Sequence, residues 1–332
     1  MVGRVSTFAD AEVIEMCKTD FVPVCTDDWY TRRRKDDEGT FFMKVSDQTV
    51  RKGTDGTRQG MYLFTADGEL LRYANSGQDA AFSKKLFREA KREFDKLPLA
   101  RTKPEALTIP PLGKPDPQYA RALPEGGLAL RVNARILENK GADWLKGTCK
   151  FTGGDKSSRD FLWLLPAEVK SLAPAKTDVG HIYEVPFVVA RRIARFHLVD
   201  NTRGEPSFWH LAQVRTSRHT LTVVKSTPEE IELRWDGEAL MSTKPEAEKS
   251  EYGYDVKLRG TLKYNPAKGT FTSWEMVALG DHWGEAGFTR DGGARPGRTP
   301  LGIAFGLADP TKPGERIAPE GARDWGNYTG KE

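Results

Sequence analysis

The segment "ALGDHWGEAG", residues 278 to 287, brings Asp281, His282 and Glu285 into five positions. Imidazole and carboxylate together suit Zn, Fe or Mn, so these three are the candidate metal ligands and a transition metal is the candidate cofactor. His282 beside a carboxylate is equally the pattern of an acid–base pair. One histidine is a weaker pattern than the two of HExxH, so a further ligand has to come from His197, His210 or His219. The competing reading is a strand-end turn whose histidine is hydrogen-bonded structurally.

A second constellation is "FVPVCTDDWY", residues 21 to 30. Cys25 stands where a short β-rich run meets a helix start, and the positive end of a helix lowers a thiol from its usual ~8.5. Asp27 and Asp28 act in the opposite direction, because nearby negative charge disfavours a thiolate. Cys25 is thus the candidate nucleophile and Asp28 the candidate acid or base. Against this stands a buried, inert cysteine followed by two helix-capping aspartates worth ~1 kcal/mol. Trp29 and Trp283, each beside one of these groups, are assigned to ligand binding. Arg191 and Arg195 lie four apart on one helix, with Arg192 between them, and such a face clamps a carboxylate or phosphate bidentately. A solvated helix face is the alternative.

Much chemistry is excluded. The three cysteines, Cys17, Cys25 and Cys149, form no CxxC, which removes a zinc ribbon and a dithiol redox motif. There is no P-loop ending and no GxSxG elbow. A net charge of +4 over 332 residues makes a nucleic-acid partner unexpected. The expected partner is a protein or a small molecule. No apolar run reaches the length of a membrane span. Location is expected to be cytoplasmic if the chain is complete, and periplasmic or secreted if a signal peptide was removed.

The elements that must position these groups fall into two parts. In residues 1 to 97, "DAEVIEMCK" places Val13, Ile14, Met16 and Cys17 on one helical face behind the N-cap Asp10. "FVPVC" reads as a short strand, at an edge because of Pro23. A helix follows from Asp27, broken or bent at Gly39 and continued by "TFFMKVSDQ". "MYLFTADGELLRY" is a hairpin turning at Asp67-Gly68. "DAAFSKKLFREAKREFDKL" carries the stripe Phe82, Leu86, Ala90 and Phe94. Residues 98 to 121 hold six prolines and read as a semi-rigid linker. Residues 122 to 332 are largely β: "GLALRVNARIL", "HTLTVVKS", "EIELRWDGEAL", "YDVKLRGTLKYN" and "FTSWEMVALG" alternate apolar with polar residues, separated by "TPEE", "WDGE" and "NPAKGT". "EVPFVVARRIARFHL" is the one interrupting helix, and the last forty residues read as an irregular tail. The fold class is α+β, an α/β module followed by a β-rich barrel or sandwich.

Two phrases resemble the thioredoxin superfamily: "FADAEVIEMCKTDFVPV", its helix-then-strand, and "TRQGMYLFTADGELLRYANSGQD", its closing hairpin. The resemblance covers about 90 residues. It implies a thioredoxin-like module at residues 1 to 97. That family's CxxC is reduced here to Cys25 alone, and Gly60-Met61 stands where its cis-proline would precede the first hairpin strand. The whole chain is similar to two-part bacterial proteins whose β-rich half carries "ARFHLVDN" and "GDHWGE", a likeness that implies parts and no activity. Three functions are therefore expected in turn: a binding or interaction protein without dithiol chemistry, a metal-dependent enzyme using Asp281, His282 and Glu285, and a single-cysteine thiol peroxidase or reductase using Cys25.

Overall fold

The computed structural model describes residues 7–75, 79–103, 108, 111–137, 157–202, 205–284 and 297–330. The chain divides into two compact units, Met1–Arg121 and Ala122–Glu332. Among the described residues no helix is long and apolar enough to cross a membrane.

In the first unit, helix α1 (Ala11–Thr19) starts where the Asp10 carboxylate accepts from the Glu12 and Val13 N–H groups. These amides have no partner within the helix, and the side chain supplies one. Residues 21 to 27 are coil rather than the expected strand, with Val22 and Val24 largely exposed. Among the described residues no strand pairs with them, and Pro23 lacks an N–H to offer one. Helix α2 (Asp28–Thr31) is one turn long and α3 (Asp37–Ser46) follows it. Gly39 does not break α3; it sits in its first turn, where the Asp36 carboxylate caps its N–H and an added Cβ would strike the Arg34 carbonyl.

Strands β1 (Met61–Phe64) and β2 (Leu70–Ala74) form the hairpin. Gly68 takes φ 83°, which the turn needs and a side chain resists. Helix α4 (Ala80–Phe94) buries Ser83, Leu86, Phe87 and Ala90, so its stripe is rotated away from Phe82, which is exposed. A small core joins Val13, Leu63, Leu86, Phe87 and Ala90. Helix α5 (Leu99–Thr102) opens the Pro-rich stretch. Part of that stretch is bonded to this unit: the Gly113 and Asp116 N–H groups donate to Asp37 and Asp36 at 2.6 and 2.7 Å.

The second unit is built on one antiparallel sheet of eight strands in the order β4-β3-β10-β9-β8-β7-β6-β5. These are β3 (Leu128–Ile136), β4 (Ser157–Leu164), β5 (Ile182–Glu184), β6 (Val214–Ser226), β7 (Ile231–Ser242), β8 (Gly253–Asn265), β9 (Thr270–Trp283) and β10 (Arg298–Leu307). Helix α6 (Pro166–Leu172) follows β4, and α7 (Phe187–Arg192) runs into a π-helical turn, Ile193–His197.

The barrel or sandwich expectation becomes a single open sheet. Its inner face is covered by helix instead of a second sheet: Val189, Ala190, Ile193, Ala194 and Leu198 share one core with Leu233, Trp235, Tyr254, Trp274 and Ile303. Alternating antiparallel strands bury this face and leave most of the other to solvent. At the β3–β4 end the other face is covered too, where Ala129, Phe161 and Trp163 share a second core with Phe196, Ala322 and Tyr328. "WDGE" is no turn; it lies inside β7, where Gly237 pairs with His219. Nor is the C-terminal stretch all irregular, since β10 pairs with both β9 and β3. Helix α8 (Trp325–Thr329) ends the described chain.

Candidate functional site

Strand β9 decides the fate of the Asp-His-Glu constellation. Successive side chains on a strand point to opposite faces. His282 is in phase with Trp274, Met276 and Ala278 and is fully buried, whereas Asp281 is in phase with Val277 and Leu279 and is exposed. The two cannot close on one metal ion. Glu285 lies outside the described residues, and among those described no cluster of three ligand-type groups exists. The His282 ring packs against Tyr252 and Tyr254, with centroids 5.2 and 5.8 Å apart. Asp281 sits directly across from Asp255 of β8.

Trp283 is 7% exposed and fully engaged. Its indole N–H donates to the Ser250 carbonyl at 2.9 Å, the Arg298 guanidinium lies 4.1 Å over its ring, and its other side covers Gly253, where any Cβ would collide.

In the first unit Cys25 is exposed, in coil, two residues ahead of the cap of a one-turn helix. The other described cysteine, Cys17, is half-buried, and burial pushes its thiol up. Asp27 caps α2 through the Trp29 N–H at 2.8 Å. Asp28 accepts from the Thr57 hydroxyl at 2.9 Å and the Arg58 N–H at 3.1 Å, so its carboxylate pins the loop before β1. Trp29 carries the Arg33 guanidinium on its face at 4.3 Å and meets Tyr119 edge-on.

Arg191 of α7 and Arg195 of the π-turn part company. Arg191 is half-buried with its guanidinium 5.6 Å over Phe187. Arg195 is buried; it donates to the Trp209 carbonyl and to the Asn327 side chain, both at 2.9 Å, and burial lowers its pKa. The spacing of four that placed both on one face holds for an α-helix, but the π-turn that starts at Ile193 lengthens the repeat. It closes through Leu198 N–H to the Ile193 carbonyl at 2.9 Å, and all of residues 193 to 197 are buried.

This turn assembles a polar cluster that sequence spacing did not indicate. Arg192 is 1% exposed and grips Glu168 of α6 with two N–H groups, one at 2.6 Å, while also donating to the Trp163 and Tyr328 carbonyls. Next to it, His197 Nε2 lies 3.2 Å from the Tyr328 hydroxyl and Nδ1 lies 3.5 Å from Asp160 Oδ2. The Tyr328 oxygen accepts from the Trp163 N–H at 3.1 Å, so its own proton is available to His197 Nε2. That assignment leaves the imidazole N–H on Nδ1, facing Asp160. Burial holds His197 below its usual range against the pull of Asp160. Carboxylate, imidazole and hydroxyl stand in the order of a hydrolase triad, yet the hydroxyl is buried and spent on backbone. The cluster fastens α8 to β4 and the π-turn. A buried polar residue at each of several distant sequence positions is its only signal.

A serine–histidine contact is also unavailable for proton abstraction. His219 Nδ1 accepts from the Trp235 indole N–H at 3.2 Å, and indole is donor only. Nε2 therefore carries the proton and donates to Ser217 Oγ at 3.0 Å. A histidine in this tautomer cannot take a proton from that serine. Burial depresses its pKa to about 4.

What remains open is the outer face of the sheet away from Ala129, Phe161 and Trp163. There β10 presents Pro300, Gly302, Ala304 and Gly306 after Arg298 at its start, between Arg131, Asn133 and Arg135 of β3 and Val277 and Leu279 of β9. A depression of about 380 Å³ lies on this face. Comparison with protein families, curated proteins and solved structures finds no match to this chain.

Proposed function

We propose that this chain is a binding protein of two parts, a thioredoxin-like N-terminal module without dithiol chemistry and a β-rich unit that holds the ligand. The observation that carries this reading is the commitment of the reactive side chains. Asp28, Arg195 and Trp283 each spend their polar atoms on protein partners. The tyrosine–histidine contact is sealed in the core, and in the part-buried serine–histidine contact the histidine donates to the serine. The open outer face, by contrast, combines exposed apolar and cationic side chains around small residues, as a ligand surface does. The thioredoxin likeness rests on the sequence phrases around α1 and the β1–β2 hairpin and on the order of helix, hairpin and helix.

Exposure of Cys25 favours one alternative, a single-cysteine thiol peroxidase or reductase. The two readings separate in one assay. The purified full chain is supplied with dithiothreitol and insulin, and separately with dithiothreitol and hydrogen peroxide. A binding protein leaves both rates at the reductant's background, in wild type and in Cys25→Ser alike. A rate above background that disappears in Cys25→Ser establishes the thiol enzyme and removes the binding reading.

A further inference from the structure

The depression on the outer face is defined by one row of side chains running across five strands. Arg159 of β4 pairs with Asn133 of β3, Asn133 with Ala304 of β10, Ala304 with Val277 of β9, and Val277 with Arg259 of β8. Side chains on a sheet stand nearly perpendicular to it, so residues ending at Cβ or Cα leave a hollow where longer neighbours make walls. Ala304 and Gly306 are that floor. Val277, half exposed, is an apolar wall, and Asn133 with the arginines is the polar one.

Charge is uneven across this face. The outward positions of β3, β4 and β10 from Leu128 to Ile136, Ser157 to Asp160 and Pro300 to Gly306 carry Arg131, Arg135 and Arg159, and the one acid in those stretches, Asp160, is turned inward toward His197. Arg131 is partly neutralised by Glu315 at 3.6 Å, and Arg259 by Asp236 at 3.7 Å. Arg159 is exposed and has no acidic partner among the described residues. Glu275 of β9 also lines the depression and repels an anion from that side, which directs a negative group toward β3 and β4.

We propose that this depression binds a small organic anion, with its carboxylate or phosphate on Arg159 and Asn133 and its apolar body on Ala304 and Val277. The site deepens the binding-protein reading and rests on it. A guanidinium and a primary amide side by side offer several N–H donors to an oxyanion, and charge-assisted bonds of this kind are the stronger ones. The apolar floor supplies contact area and carries no competing charge.

The test titrates the full chain with two probes that share an apolar ring, 1-naphthoate and 1-naphthyl phosphate, followed by ligand-detected NMR. Binding of one probe or both is expected, and which one binds separates a carboxylate source from a phosphate source. Arg159→Ala should weaken it about tenfold, the loss of one charge-assisted contact. Ala304→Glu, which places a carboxylate on the floor at an exposed position, should abolish it. Binding should also weaken as salt is raised from about 50 to about 300 mM. Circular dichroism of both variants should match wild type. No binding of either probe, or binding indifferent to both substitutions, overturns the site. That outcome is distinct from Cys25-dependent turnover, which overturns the binding-protein reading whether or not the anion binds.

Discussion

His219 gives the second unit an acid-sensitive stability whose size follows from its surroundings. Its ring is buried between Trp235, Ser217 and the sheet, and desolvation lowers its pKa from 6.5 to about 4. The unfolded chain protonates near 6.5 and the folded unit only near 4. Between those values the unfolded state holds more protons, so stability falls as pH drops through the window and is fully present above 6.5. At ~1.36 kcal/mol per pH unit, that gap is worth about 3 kcal/mol. His219→Gln removes the titration while keeping an acceptor for the Trp235 N–H and a donor for Ser217. Urea unfolding is followed by tryptophan emission, which reports the second unit because seven of the eight tryptophans lie there. Wild type should lose about 3 kcal/mol more than His219→Gln between pH 6.5 and 4. His197, also held down by burial, contributes to both proteins and cancels in the difference. Equal losses in the two proteins would falsify the assignment of His219 as a neutral, sealed imidazole.

Four further outcomes are expected. Gly237→Ala drives a Cβ onto His219 Nδ1 across the β6–β7 pair and should cost about 1–3 kcal/mol in the urea midpoint. Arg192→Ala leaves Glu168 buried without its partner and should cost about 3–5 kcal/mol, a large part of it absent when Glu168→Leu is already in place. Tyr328→Phe removes the acceptor of the Trp163 N–H and should cost about 1–3 kcal/mol, read by thermal denaturation. His282→Ala opens a cavity beside Tyr252 and Tyr254 and should cost about 2 kcal/mol or more, whereas exposed Asp281→Asn should stay within about 0.5 kcal/mol. Equal effects at 281 and 282 would contradict the opposite facing of the two side chains.

The amino-acid order alone determined which stretches are helical and which are extended wherever a periodic pattern ran long. α4, the hairpin, and strands β6, β8 and β9 are visible in it, and so is the Asp67-Gly68 turn, whereas "WDGE" reads as a turn and lies inside β7. Local capping chemistry, such as Asp10 and Asp27 ahead of their helices, is visible for the same reason: cause and effect sit within a few residues. Where a strand ends and what covers it depended on partners far along the chain. β9 runs on past Gly280 because β8 and β10 both pair with its end, and that extension carries Asp281 and His282 to opposite faces. Had the alternation of Trp274, Met276 and Ala278 been carried four positions further, the separation would have been legible. "FVPVC" has strand character but, among the described residues, no strand to pair with, and it is coil. The π-turn that holds Arg195 and His197 directly after Arg192 has no local pattern of its own; Glu168, Asp160 and Tyr328, distant in sequence, hold the polar groups of Arg192 and His197. The shallow site on the outer face likewise exists only because register sets Arg159, Asn133, Ala304 and Val277 in one row. Short-range chemistry is written in the order of residues, while burial and alignment across strands are settled by contacts that only the folded chain makes.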